Sequence, residues 1–203
     1  TVVAPVHDED GRLFAYVANR AHHAEVGGMR PGSMSPEARN LLEEGVTLPP
    51  VHLFKEGRSR MDEVMSAFSE GPWPSRRPDE NLADLLAQVA SARRGVEALA
   101  TLARTSGIDV VGEHMRFLRE RSARICRDFL LGFGDADLRA EQCLDDGSPI
   151  RVAITIRQGR ATFDFAGTSP RHPGNLNATE AVTRSALVYV LRLLAETEAP
   201  LNE

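Results

Sequence analysis

Several residue types and sequence features are scarce in this 203-residue chain. Lys55 is the only lysine, which disfavours Schiff-base chemistry at a lysine. The two cysteines, Cys126 and Cys143, have no CxxC or metal-ligand spacing and form no disulfide framework, so we expect a reducing, cytoplasmic compartment. No run of about 18 apolar residues predicts a membrane span. A formal net charge of -5 without a basic stripe argues against nucleic-acid binding. The expected partners are proteins and small molecules.

The two ends of the sequence suggest a piece of a larger domain. Thr1 opens directly into a strand-like run, and Glu203 follows the last predicted helix without a terminal cap. The hydrophobic fraction of 42% nevertheless suits a packed core. We therefore interpret residues 1–203 as one incomplete domain in three parts, which cover residues 1–56, 80–133 and 135–203.

Hydrophobic periodicity predicts an α+β fold that forms part of a larger mixed domain. An N-terminal β-hairpin and a C-terminal antiparallel meander would lie around a central helical pair. Asp10-Gly11 is a typical hairpin turn, and Gly107 follows an apolar stripe with helical spacing. The predicted strands cover residues 1–7, 13–19, 51–54, 137–144, 150–156 and 161–166, and the predicted helices cover residues 36–44, 58–68, 81–105, 110–131 and 179–195.

Residues 19–34 concentrate polar and glycine residues in an irregular loop. His22, His23 and Glu25 carry side chains that commonly bind divalent cations, and Gly27 and Gly28 allow a close approach of the backbone. The alternative is that both histidines are structural. Because neighbouring side chains of an extended segment point to opposite faces, one pair supplies few ligands, and further ligands must come from elsewhere.

Other candidate residues have weaker support. Arg20 and Arg30 could bind a carboxylate or phosphate, or be solvated surface charges. Asp164 lies near the end of a predicted strand and could face a pocket, or only cap a turn. Ser33 lacks the Gly-x-Ser-x-Gly context of a serine nucleophile, so we expect it to contact substrate at most.

Several motifs, in order along the chain, resemble the hydantoinase B/oxoprolinase family. The first runs from Asn19 to Met34 and reads Asn-Arg-Ala-His-His-Ala-acid-x-Gly-Gly-Met-x-Pro-Gly-Ser-Met. Glutamate at position 25 replaces the aspartate that is usual there. The later matching segments are residues 44–51, 84–90, 145–147, 164–169 and 174–177. The resemblance covers essentially the whole chain.

The resemblance implies an ATP-dependent opening of a small cyclic amide such as 5-oxoproline or a hydantoin. A hydantoinase A-type partner subunit would bind ATP and activate the ring, and this chain would belong to the hydrolysing subunit of a hetero-oligomer. It also implies a divalent metal ion, with zinc, manganese and magnesium left open, whose other ligands precede Thr1. We assign metal binding first to His22, with His23 and Glu25 as second choices that bind the ion or orient water. Catalysis is assigned to Glu25 and Asp164. Substrate binding is assigned to Arg20, Arg30, Gly27, Gly28, Ser33 and Asn177.

Two alternatives remain open at this point. The chain could belong to a carboxylase of the acetone or acetophenone type, which adds carbon dioxide to an activated ketone. It could also be a non-catalytic scaffold or assembly segment. We expect the isolated chain to be inactive, because the upstream ligands that the resemblance implies are missing from it. Family analogy constrains chemistry far less than fold.

Overall fold

A computed structural model describes residues 1–32 and 34–195 of the chain. It divides them into two compact units, and residues 173–175 belong to the first, which otherwise covers residues 1–111. The second covers residues 112–172 and 176–195. The predicted α+β class is confirmed, since small antiparallel sheets accompany several helices.

The first unit begins with the predicted hairpin, strands β1 and β2, which pair from Val2 opposite Asn19 to His7 opposite Leu13. Its turn is closed by the Asp8 carboxylate, which accepts hydrogen bonds from the backbone N–H groups of Asp10 and Arg12. The elements of this unit are β1 Val2–His7, β2 Leu13–Asn19, α1 Leu41–Glu44, β3 Phe54–Lys55, β4 Arg58–Ser59, α2 Met61–Ser69 and α3 Pro78–Ser106.

Two predictions in this unit are corrected. Helix α1 begins at Leu41 rather than near Pro36, because the Asn40 side chain accepts a hydrogen bond from the Glu43 N–H and caps the helix. The predicted strand 51–54 shortens to β3, which pairs with β4, so α2 starts at Met61 rather than at residue 58.

The core of the first unit lies between α2 and α3. Leu85 and Val89 of α3 are buried against side chains of α2, because apolar residues recur at helical spacing on both helices. Gly95 of α3 faces β2, where an added Cβ atom would lie 2.7 Å from a methyl group of Val17. The α2 members of the core are Met61, Val64 and Phe68, and Val26, Val46, Leu48, Leu53, Met65 and Leu82 pack around it.

The second unit contains the predicted meander and two helices. Strands β5, β6 and β7 form one antiparallel sheet in that order. Apolar side chains of the helices and of the sheet line a cavity of about 290 Å³. The elements are α4 Ile108–Phe133, whose first turn belongs to the first unit, β5 Ala136–Cys143, β6 Pro149–Arg157, β7 Arg160–Asp164 and α5 Glu180–Leu194. Helices α3 and α4 therefore belong mainly to different units.

None of the helices within the described residues is long and apolar enough to cross a membrane.

Candidate functional site

Residues 19–32, which we call the histidine loop, are hydrogen-bonded along their backbone to two other segments of the first unit. The N–H of Gly28 donates to the carbonyl of Trp73 at 3.1 Å. The N–H of Met29 donates to the carbonyl of Glu43 at 2.9 Å. The loop is thus irregular in conformation but held on both sides by backbone groups.

Gly27 and Gly28 make this close approach possible. Both have a positive φ, +83° and +88° respectively, which other residues rarely adopt. An added Cβ atom at Gly27 would overlap the backbone of Trp73 and lie 2.8 Å from the carbonyl carbon of Pro74. One at Gly28 would lie 2.5 Å from the carbonyl oxygen of Glu44. The structure therefore explains both glycines by packing, and their contact with substrate stays a prediction.

The Glu25 carboxylate is buried, with 9% of the residue exposed, and accepts hydrogen bonds from three residues. Oε1 accepts from the Gly27 N–H at 2.8 Å and from the Arg76 guanidinium at 2.8 Å. Oε2 accepts from the Arg76 N–H at 2.6 Å and from the Ser75 hydroxyl at 3.0 Å. The same guanidinium donates to the Gly28 carbonyl at 2.7 Å.

These contacts determine the charge of Glu25. Burial raises the pKa of the carboxyl, but the hydrogen bonds from the N–H groups of Arg76 and Gly27, the Ser75 hydroxyl and the Arg76 side chain outweigh burial. The pKa of Glu25 is consequently lowered from its ordinary value, and the ionised form is favoured. A carboxylate with both oxygens engaged by its own chain serves to hold the loop. Catalysis by Glu25 stays a prediction that this geometry does not favour.

Asn81 in α3 joins this network to the histidines. Asn81 is 1% exposed, and its Nδ2 donates to the backbone carbonyl of Glu25 at 2.6 Å. Its Oδ1 lies 2.5 Å from the Ser75 hydroxyl oxygen, which shares its single proton between Asn81 and Glu25. The same Nδ2 lies 3.5 Å from Nδ1 of His23. The side chain of Asn81 is therefore fixed by two short contacts, with the imidazole at its edge.

His23 is the less exposed of the two histidines. Its Nδ1 lies 3.2 Å from Oδ2 of Asp84, and its ring packs against Phe68 with the centroids 6.2 Å apart. Its side chain is 16% exposed, and its Nε2 has no hydrogen-bond partner among residues 1–32 and 34–195. His22 is exposed.

Three polar residues of α3 face the histidine loop. Gln88 donates from Nε2 to Oδ1 of Asn19 at 3.0 Å, and its backbone carbonyl accepts from Nδ2 of Asn19 at 2.8 Å. Asn81, Asp84 and Gln88 are spaced at three and four residues, so they share one face of the helix. This face, which we call the polar stripe of α3, holds the histidine loop by its start and its middle.

The donor set fits part of a metal site. A ligating histidine commonly donates its other ring N–H to a carboxylate, and the arrangement of His23 and Asp84 has this form. Within the described part of the chain, however, no three side chains of histidine, cysteine, aspartate or glutamate form a cluster that could hold a metal ion. His22 and His23 would thus complete a site together with other residues, and the metal stays a prediction.

The two arginines assigned to substrate are exposed and contact other groups. The Arg20 guanidinium donates to the Thr1 hydroxyl at 3.1 Å. The Arg30 guanidinium pairs with the Glu37 carboxylate at 2.8 Å and is 60% exposed. Both contacts are on the surface, where a ligand could replace them at little cost.

Asp164 and Asn177 belong to the second unit, and the histidine loop belongs to the first. Asp164 ends β7, and its Oδ1 accepts from the Ala166 N–H at 2.9 Å, which is the contact of a turn-capping aspartate. Asn177 closes a turn by bonding both the N–H and the carbonyl of His172. Ser33 lies outside the described residues. Catalysis by Asp164 and substrate binding by Ser33 and Asn177 stay predictions.

Sequence reasoning missed Ser75, Arg76 and Asn81, which bind Glu25. Ser75 and Arg76 lie in a proline-rich connector about 50 residues from Glu25, as the separations of 50 and 51 positions show. The polar stripe of α3 could have been identified from the sequence. Its residues Asn81, Asp84 and Gln88 recur at helical spacing among the apolar residues of the predicted helix.

Comparison with known proteins agrees with these motifs. A family model described as hydantoinase B/oxoprolinase matches residues 1–203. The 5-oxoprolinase of Saccharomyces cerevisiae is 36% identical over all of this chain, which covers 17% of that protein, and 5-oxoprolinase 1 of Arabidopsis thaliana is 34% identical over all of it, covering 18%. The caprolactamase subunit beta of Pseudomonas jessenii is 25% identical over 95% of the chain, which covers 33% of that subunit.

The chain belongs to the hydantoinase B/oxoprolinase family. It spans less than a fifth of the length of the two 5-oxoprolinases to which it is similar.

Proposed function

We propose that this chain is part of the hydrolysing component of an ATP-dependent cyclic-amide hydrolase that opens 5-oxoproline or a hydantoin. Two relatives are named 5-oxoprolinase, and a third is named a caprolactamase subunit. A hydantoinase A-type partner would bind ATP and activate the ring in a hetero-oligomer, and the name "subunit beta" supports a separate partner. A cytoplasmic location is part of the proposal.

The observation that carries the proposal is the fixed imidazole of His23 in the histidine loop. Its Nδ1 faces the Asp84 carboxylate at 3.2 Å, and Nε2 is left for a ligand. The backbone carbonyls of Glu25 and Gly28 and the buried carboxylate of Glu25 already accept hydrogen bonds from other groups of this chain. The loop can therefore hold its shape without the ligand.

His22 and His23 would hold a divalent zinc, manganese or magnesium ion together with residues outside this chain. When bound, such an ion polarises a carbonyl or lowers the pKa of a bound water. The chain's own contribution is to fix the imidazole of His23. Arg20 and Arg30, which are both exposed in the histidine loop, would bind the carboxylate or carbonyl groups of the substrate.

The test is turnover of 5-oxoproline and of a hydantoin by the complete protein with its ATP-binding partner. His22→Ala and His23→Ala are compared with His52→Ala, which removes an exposed histidine of the same unit. We expect turnover to fall by about 100-fold or more in at least one loop variant, as for residues that support a metal site. His52→Ala should retain the activity.

Other outcomes would select the alternatives. Bicarbonate-dependent ATP consumption with a ketone, and none with cyclic amides, would indicate a carboxylase. Unchanged turnover in both histidine variants would refute the site. A complete protein that binds its partner, contains no metal and turns over neither substrate would indicate a scaffold.

A further inference from the structure

We propose that Asp84 is a positioning residue, which accepts a hydrogen bond from the Nδ1–H of His23 and so presents Nε2 of the ring to a divalent cation. The inference rests on the proposed function, because the cation belongs to that proposal. It adds a residue of α3 whose side chain touches no substrate and acts only through the imidazole.

The position of the ring proton follows from the two groups that face Nδ1. Oδ2 of Asp84 lies at 3.2 Å and, when ionised, can only accept a hydrogen bond. Nδ2 of Asn81 lies farther away at 3.5 Å and already donates to the Glu25 carbonyl at 2.6 Å. A bare Nδ1 would face the lone pairs of the carboxylate, so the proton resides on Nδ1 and bonds to Asp84.

The orientation of the ring follows from its other neighbours. Phe68 packs against the imidazole at an interplanar angle of 41°, and Phe68 itself is 3% exposed in the core of the first unit. Asn81 contacts the ring edge and is held by Ser75 and the Glu25 backbone. The ring is thereby fixed on one face and at Nδ1, and Nε2 is the nitrogen that remains for a ligand.

Asp84 suits this role because it can be changed without disturbing the core. Its side chain is 44% exposed, whereas Asn81 is buried and also braces Glu25. Loss of the carboxylate therefore leaves no buried polar group of Asp84 without a partner. The effect on His23 can then be separated from an effect on folding.

The experiment uses the complete protein with Cu²⁺ alone as the probe ion, since copper binds imidazole strongly. Electron spin-echo spectroscopy detects the remote nitrogen of a copper-bound imidazole, and its quadrupole coupling depends on the hydrogen bond that this nitrogen makes. His23→Ala should remove an imidazole signal. Asp84→Ala should retain the signal with a changed coupling, and Asp84→Asn should give an intermediate value.

A second measurement is the dissociation constant of the ion by competition with a chelator. Asp84→Ala should weaken binding by about 10- to 100-fold, the usual effect of removing the partner of a ligating histidine. Asp79→Ala is the matched control, because Asp79 is an exposed aspartate of the same helix without a described partner. It should change neither the affinity nor the coupling, and the melting temperature should be similar in all these variants.

The possible failures are distinguishable. An ion that binds through His23 with the same coupling and affinity in Asp84→Ala as in the unaltered protein would overturn the role of Asp84 and leave the proposed function intact. Binding without any signal from His23 would overturn the role of Asp84 as well. No ion bound by the unaltered protein would overturn the metal site of the proposed function, and Asp84 would have no cation to serve.

Discussion

The histidine loop and the second glycine-containing loop, residues 167–177, have similar compositions but are held by different contacts. In the histidine loop, the buried Glu25 binds residues about 50 positions away. In the second loop, Asn177 bonds the backbone of His172 five residues away through two exposed contacts. Asn175 of the same loop also donates to the Ser35 carbonyl at 2.7 Å, in a part-buried contact. A buried polar group that loses its partner costs far more than an exposed one, so the two loops should respond differently to the same change.

The largest difference is expected for glycine substitutions. Gly27→Ala should destabilise the complete protein by at least about 3 kcal/mol, because a positive φ and an overlap with the backbone of Trp73 act together. Gly167→Ala has a similar φ of +87° but meets only the side chain of Arg151, at 3.2 Å, and should cost about 1 kcal/mol. Chemical denaturation measures both. Equal losses would show that the backbone contact at Gly27 does not matter.

Matched asparagine substitutions should give a smaller difference. Asn81→Ala removes buried partners of Ser75 and Glu25 and should cost about 2–3 kcal/mol. Asn177→Ala removes exposed contacts to His172 and should cost less than about 1 kcal/mol. Unfolding of the complete protein, followed by circular dichroism, checks this pair. If Asn177 were the more sensitive position, burial would not be the deciding factor.

The smallest expected effect is a pH dependence confined to the neighbourhood of the second loop. The N–H and hydroxyl of Ser148, with a further contribution from the charge of His172, lower the pKa of Asp146 below its ordinary value of 3.8, although burial acts in the opposite direction. Because the folded-state pKa is lowered, the stabilising contribution is present above pH 3.8 and is lost as the pH falls through the lowered pKa.

Hydrogen exchange at Ser148, corrected for the intrinsic rate, should therefore accelerate on acidification in the unaltered protein. In Asp146→Asn, which has no negative charge to lose, the corrected exchange rate at Ser148 should depend little on pH. An identical pH dependence in both proteins would assign the effect to another group.

Local signals made much of the fold predictable. Asp10-Gly11 marked the first hairpin, and the apolar stripe that includes Leu85 and Val89 marked α3. The predicted start of α1 near Pro36 was wrong, because Ser35 and Asn40 lie close together and both are residue types that cap helices. Ser35 precedes a proline but does not cap, whereas Asn40 does. Sequence alone cannot decide which of two neighbouring caps the backbone uses.

The candidate site was predictable only in part. The motif identified His22, His23 and Glu25, since these residue types are adjacent in sequence. The partners of Glu25 could not be identified, because Arg76 is one of many arginines and its contact depends on the folded chain. The same motif suggested a catalytic carboxylate at a position where the structure shows an internal ion pair. A motif thus located the loop, and packing decided which atoms remain for a ligand.

Gly95 gives α3 a second role besides holding the histidine loop. The helix contacts the loop through Asn81 and the hairpin through Gly95, which lies fourteen positions later and therefore about 21 Å along the helix axis. One residue inserted or deleted between them would rotate one contact by about 100° relative to the other. The number of residues in this part of α3 is therefore fixed by two contacts at once, one with the loop and one with the hairpin.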